Sequence, residues 1–327
     1  MNNDRIQEIL DLMEEARLDY FLISDPQSVA YCTGYYNDPH ERMFVFMISK
    51  HGNHTLFMND LFYLDHDLDV NIVWHKDGQD AIQTIVDEMH FPGRIGIDKN
   101  WASHFLLDLM KKLPDAKYIN ASPCVDLVRM KKDLQEQVLM IESSKINDAV
   151  MEEIIPFIQE GVTEKQLAKK LDELFFKHHS TCYGAIVAFG KNAADPHHEN
   201  DDTLLRKGDC VLIDMGCVYK GYCSDMTRTF FYEGILEEEI KVYEIVKKAN
   251  EAAEAMIKPG VKLSDIDKCA RKVISDEGYG KYFTHRLGHF IGRDVHEYGD
   301  VSSVNEMEVE EGMIFSIEPG IYLEGNF

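Results

Sequence analysis

The chain contains no CxxC pair, and its cysteines are odd in number: Cys32, Cys124, Cys182, Cys210, Cys217, Cys223 and Cys269. Neither a disulfide framework nor a cysteine-based zinc site is expected, and reduced thiols point to the cytosol. No apolar run approaches a membrane span. The opening residues, MNNDRIQEILDLMEEARLDYFLI, are charged and read as an amphipathic helix leading to a strand, not as a signal peptide. Positive charge is scarce, with 34 Lys and Arg against 58 Asp and Glu, a net charge of -24. That balance excludes nucleic acid and anionic membrane surfaces as expected partners.

What is present is enough apolar content, 45% of 327 residues, for two cores. Residues 1 to about 120 alternate between helical and strand patterns. DRIQEILDLMEEARL precedes DYFLIS, and RMFVFMIS and HTLFMND flank the turn KHGN as a hairpin. VNIVWH, DAIQTIVDEMH, RIGID, WASHFLLDLMKKL and KYINA continue the alternation, which indicates an α/β domain. The segment INASPCVDLV is the break suited to a boundary, placed near residue 125, so residues 1–125 and 126–327 form the expected domains. A long helix is expected over residues 130–159, with an apolar face of Leu134, Val138, Ile141, Ile146, Val150 and Ile154. Within the second domain, FIQEGVTEKQLAKKLDELF and MIKPGVKLSDIDKCARKVI align without gaps at an offset of 99. Each copy is a Gly-Val turn entering an amphipathic helix, which suggests two related α+β halves.

The stretch VLIDMGCVYKGYCSDMTRTF reads as a hairpin. A two-residue loop at Tyr219 and Lys220 would set Asp214 directly opposite Asp225. Two carboxylates about 5 Å apart repel by roughly 3 kcal/mol at an effective dielectric of about 20. A cation, a shared proton or a different register would relieve that repulsion. Further on, FTHRLGHFIGRDVHEY carries His285, His289 and His296, where Gly288 and Gly292 argue against one continuous helix. Glu318 lies in the apolar, strand-like run MIFSIEPGIY, where a carboxylate is costly unless paired or coordinated. Two aspartates, a histidine and a glutamate make an oxygen-rich set suited to Mn²⁺, Co²⁺ or Zn²⁺, and bridging carboxylates allow two ions about 3.5 to 4 Å apart.

The order of GKNAADPHH, LIDMGCVYKGYCSDMTRTF, HRLGHFIGRDVHE and SIEPGIY resembles the proline-specific metallopeptidases with the pita-bread fold. That group includes Xaa-Pro dipeptidases (prolidases), aminopeptidase P and, more distantly, methionine aminopeptidase and creatinase. The resemblance spans nearly the whole chain and implies a creatinase-type N-terminal α/β domain before a pita-bread domain with pseudo-twofold halves. It implies hydrolysis of the peptide bond before proline in Xaa-Pro dipeptides by a hydroxide held between two divalent ions, Mn²⁺ before Co²⁺ or Zn²⁺. Asp214 would bind one ion and Asp225 bridge both, while His289 and Glu318 hold the second. His197 would lie near the substrate, with His198 the weaker candidate of the pair. His296 would contact the scissile peptide or shuttle protons, Glu318 would also orient or deprotonate water, and His285 would line the substrate pocket or serve structure. A homodimer is implied too, while the reduced thiols place it in the cytoplasm.

Two departures stand out. Phe290 follows the ligand histidine where the family has glycine, and would narrow the pocket, tilt the ring or pack away. The chain also stops at Phe327, before the return strand expected to carry a fifth, bridging ligand. That ending is read as incomplete, leaving the chain alone metal-poor and weakly active. The alternatives are a catalytically silent pita-bread binding protein, an aminopeptidase P acting on longer peptides, or an enzyme that cleaves a creatine-like C–N bond.

Overall fold

Ile6, Ile9 and Met13 recur at helical spacing and are buried, so the first segment folds as a helix with one apolar face. In this computed structural model, which describes residues 1–90 and 92–326, that helix is α1 (Asn3–Glu15). It leads to β1 (Tyr20–Ile23), α2 (Pro26–Thr33), β2 (Val45–Ser49) and β3 (Thr55–Asn59), the last two forming the expected hairpin about KHGN. β4 (Asn71–His75), α3 (Ala81–Glu88), β5 (Arg94–Ile97), α4 (Ser103–Lys112), β6 (Lys117–Asn120) and α5 (Ser122–Met130) follow. The six strands form one mixed sheet in the order β4-β3-β2-β1-β5-β6. In β1, Phe21 and Ile23 enter one apolar cluster and Tyr20 and Leu22 another, so both faces of the sheet are covered.

Two of these helices differ from the sequence reading. α2 starts at Asp25, whose carboxylate accepts from the Ser28 N–H at 2.9 Å with Pro26 at the first helical position, a start signal hidden in a short segment. α5 occupies much of the INASPCVDLV segment that reads as a break, with Pro123 in the first turn where its missing N–H costs nothing. The position near residue 125 thus falls inside a helix, and the two compact units of the chain are Met1–Arg129 and Met130–Phe327.

The second unit begins with α6 (Leu134–Ile154), whose Asp133 and Glu136 form a reciprocal capping box. Its expected apolar face holds only toward the C-terminal end, where Val150 and Ile154 are buried. Leu134, Val138 and Ile141 are 79%, 57% and 55% exposed, and Glu136, Ser143 and Asn147 are buried in their place. The reason lies opposite: this half of α6 packs on the Asp214–Asp225 hairpin, and its polar groups meet that hairpin's polar atoms. Tyr222 Oη donates to Glu136 Oε1 at 2.9 Å, and Asn147 Nδ2 approaches the Met215 carbonyl at 3.5 Å.

α7 (Glu164–Lys177), β7 (Thr181–Cys182), β8 (Ile186–Phe189), β9 (Cys210–Met215), β10 (Cys217–Tyr219), β11 (Tyr222–Cys223) and β12 (Met226–Phe231) form the first half of this unit. Sheets ordered β12-β9-β8 and β11-β10-β7 arise as one hairpin passes from the first sheet into the second. α8 (Glu237–Glu254), α9 (Leu263–Asp276) and the pair β13 (Gly288–His289) and β14 (Asp300–Val301) form the other half. The repeat is visible in the backbone. Gly161 N–H donates to Leu205 and Gly260 N–H to Val309, while Leu205 and Val309 N–H groups return to Val162 and Val261. Gly161 and Gly260 both take positive φ, 82° and 86°, and α7 and α9 begin at equivalent residues. Among the described residues the seven cysteines form no disulfide, and no helix is long and apolar enough to cross a membrane.

Candidate metal centre

The hairpin forms, but in another register. Tyr219 pairs with Tyr222, so the two loop residues are Lys220 and Gly221, with φ of 50° and 81°. Positive φ at both central positions is the requirement of a type I′ turn, and glycine supplies it readily at the second. The shift sets Thr227 opposite Asp214, and Thr227 Oγ1 donates to Asp214 Oδ1 at 2.9 Å. Continuing the same register brings Asp225 across from Gly216. A Cβ at Gly216 would fall 1.7 Å from Tyr183 Oη and 2.1 Å from the Ser224 carbonyl, so only glycine fits there. Tyr183 Oη donates to that same carbonyl at 2.7 Å. Burial, then the Asp225 charge, raises the Tyr183 hydroxyl and keeps it protonated.

Histidine and glutamate arrive on a neighbouring pair of segments. Ser316 N–H donates to the His289 carbonyl and Glu318 N–H to the Leu287 carbonyl, each at 2.8 Å, so the Glu318 run lies along β13 as extended chain. Gly288 permits the approach, because a Cβ there would meet the Ser316 carbonyl at 1.9 Å. Asp225, His289 and Glu318 are thereby gathered, one ligand atom from each lying within 4.8 Å of the others. His289 Nε2 is 3.3 Å from Asp225 Oδ2 and 3.5 Å from Glu318 Oε1. Its Nδ1 donates to the Phe290 carbonyl at 3.1 Å, which fixes the ring with Nε2 toward the carboxylates. Asp214 stands outside this tight group, though its charge is felt at Glu318.

The electrostatics point the same way. Burial, then the Asp225 charge, pushes Asp214 up to about 6. Burial likewise raises Glu318, with Asp225 adding to it. Burial would lower His289, but the neighbouring carboxylates overcome it and hold the ring above its ordinary value. Carboxylates held at a cost around an oriented imidazole, with no thiolate in the group, fit a divalent cation of the Mn²⁺, Co²⁺ or Zn²⁺ type.

The other sequence candidates divide. The His296 ring packs edge-on against His289 with centroids 4.1 Å apart, and burial lowers its pKa. His285 donates from Nδ1 to the Arg286 carbonyl at 2.7 Å, so its Nε2 accepts from Tyr322 Oη at 2.8 Å. Burial lowers His285, with a smaller contribution from nearby His197. His197 itself is exposed, and His198 instead meets Glu164 Oε2 at 2.6 Å. Phe290 is fully buried against Phe315, ring centroids 5.4 Å apart, so it packs into the core. Tyr183, Tyr322 and Glu164 were not singled out from the sequence. The SIEPGIY motif contains Tyr322, but nothing local marks the other two.

The chain is similar to known proteins over nearly its whole length. Residues 138–327 match metallopeptidase family M24, and residues 5–131 match the Creatinase/Prolidase N-terminal domain. An uncharacterized peptidase of Staphylococcus aureus (strain bovine RF122 / ET3-1) is 34% identical over 330 residues, covering 98% of this chain and 92% of the relative. Among solved structures, a dipeptidase from Pyrococcus horikoshii OT3 superimposes with a TM-score of 0.91 at 35% identity, over 98% of this chain and 92% of that one. A recombinant prolidase from Thermococcus sibiricus gives 0.92 at 32%, over 100% and 92%. An Xaa-Pro dipeptidase from Bacillus anthracis gives 0.89 at 27%, over 99% and 91%. The architecture is thus a creatinase-type α/β domain followed by a pita-bread domain. The chain is a metallopeptidase and belongs to family M24.

Proposed function

We propose that this protein hydrolyses the peptide bond preceding proline, with Xaa-Pro dipeptides as its substrates. The observation that carries the reading is the Asp225–His289–Glu318 group with His296 packed on its histidine, in an M24 chain that superimposes on prolidases and an Xaa-Pro dipeptidase. Asp225, His289 and Glu318, joined by Asp214, would hold two divalent ions, Mn²⁺ being the first choice. When bound, such ions polarise a carbonyl and lower the pKa of water toward about 7. Glu318, raised by burial, is suited to accept a proton from the attacking water. His296, kept neutral by burial, contacts the scissile peptide and moves a proton toward the departing proline nitrogen. His197 faces the developing charge on the carbonyl oxygen. His285, with its Nε2 engaged by Tyr322, forms a pocket wall.

A substrate panel tests this. With Mn²⁺ present, Leu-Pro and Met-Pro should release free proline, while Leu-Ala and the tripeptide Leu-Pro-Gly should be cleaved far more slowly. Preference for the tripeptide would make the enzyme an aminopeptidase P instead. Cleavage of Leu-Ala at a rate equal to Leu-Pro would overturn the proline reading.

A further inference from the structure

Away from the metal centre, a second group of potential ligands lies in the first half of the domain: Glu164, His198 and Asp201, with one donor atom from each within 4.8 Å of the others. Glu164 is the first residue of α7 and is 0% exposed. Its hydrogen bonds decide what the group is. Oε1 accepts from the Phe189 N–H and from Asn192 Nδ2, each at 2.9 Å. Oε2 accepts from His198 Nε2 at 2.6 Å and from the Asp201 N–H at 3.0 Å. Each oxygen already takes two donors, so a cation would have to displace them. All four donors lie in one stretch of chain, from the end of β8 through the loop that carries His197.

The internal repeat supplies a control. The residue equivalent to Glu164 at the start of α9 is Leu263, also 0% exposed. The helix start therefore accepts an apolar side chain in this fold, and a buried carboxylate is not required for packing. Burying a charge costs several kcal/mol unless it is fully hydrogen-bonded, so its presence in the first copy alone calls for a role there. The loop it binds carries the adjacent histidine pair. His198 is consumed by the clamp, while His197, one residue away, is left exposed, with its charge felt at His285.

We propose that Glu164 is a positioning residue: its carboxylate clamps residues 189–201 through four hydrogen bonds and so holds His197 at the substrate side of the site. This rests on the peptidase reading above. It assigns the second histidine of PHH a structural partner, and it assigns the Glu164–His198–Asp201 group to hydrogen bonding, not to a metal.

Glu164→Gln tests the clamp, since an amide has one acceptor oxygen and must turn N–H groups toward at least one pair of donors. Misplacing a group by about 1 Å costs on the order of 100-fold in rate. In the metal-loaded protein, kcat for Leu-Pro should fall roughly 10- to 100-fold with KM within about twofold. Metal content should match wild type. The Glu164→Gln, His197→Ala double variant should be no slower than His197→Ala alone, because both act through one group. Amide hydrogen exchange at Phe189 and Asp201 should quicken in Glu164→Gln. Independent losses in the double variant, a metal ion lost from Glu164→Gln, or unchanged rate and exchange would each overturn the clamp. Should wild type release no proline, the peptidase reading fails by itself. The exchange rates then decide: faster exchange confined to residues 189–201 supports the clamp, and unchanged exchange rejects it.

Discussion

Asp214→Asn should stabilise the metal-free protein and destabilise the metal-loaded one. In the metal-free fold, burial first and the Asp225 charge second raise the Asp214 carboxyl from its ordinary 3.8 to about 6. Because the folded pKa lies above the unfolded value, the folded state binds the proton more tightly. Stability is then lost as pH rises from 3.8 to about 6, and the full cost is present above that. The gap corresponds to roughly 3 kcal/mol. Asparagine carries no charge and still offers an acceptor to Thr227 Oγ1. In chelator at pH 8 the variant should therefore be about 1–3 kcal/mol more stable than wild type, and at pH 4 nearly equal to it. With Mn²⁺ at 1,000 times its dissociation constant, wild type gains about 4.1 kcal/mol that the variant largely forgoes, and the order reverses. Urea unfolding with chelator or Mn²⁺ at both pH values reads all four cases. A variant less stable than wild type in chelator at pH 8 would mean that Asp214 stabilises the fold without a cation, the opposite of what its raised pKa requires.

Three further outcomes follow from the packing. Gly216→Ala should fail to hold the hairpin, since its Cβ would overlap Tyr183 Oη and the Ser224 carbonyl, and metal content and circular dichroism should both fall. Lys132→Met removes one partner of Glu297, in an ion pair at 2.8 Å whose side chains are 1% and 5% exposed. Urea unfolding should show a loss of roughly 3–5 kcal/mol, partly recovered by adding Glu297→Gln. Phe290→Ala should cost about 3–5 kcal/mol by emptying a core position, with metal content per folded chain unchanged. A gain in metal affinity would mean the ring had been crowding His289 after all.

The candidate ligands stand out in the sequence because each is an acid or imidazole set among strand-forming residues where a charge needs a reason. Asp214, Asp225, His289 and Glu318 all have that character. Their arrangement is less legible. Moving the turn from Tyr219–Lys220 to Lys220–Gly221 replaces a facing pair of aspartates with an Asp214–Thr227 pair. The glycine was visible, but the φ that Lys220 would tolerate was not. The face of α6 departs from its periodicity for a related reason: apolar periodicity assumes an apolar neighbour, whereas Glu136, Ser143 and Asn147 turn toward polar atoms of a hairpin about 75 residues away. Glu164 could not be found from sequence, since a charged first residue of a helix is ordinarily a solvated one. Its burial depends on donors 25 to 37 residues further along the chain.

Titrating Mn²⁺ into chelator-stripped protein asks whether this acidic cluster is a metal site for cleaving before proline. Bound metal and proline released from Leu-Pro are measured on the same samples, with Asp225→Asn alongside. Proline release should rise in step with bound metal in wild type, and Asp225→Asn should bind little metal and release almost no proline. Proline release without metal, or a metal-loaded wild type that leaves Leu-Pro intact, would contradict the account.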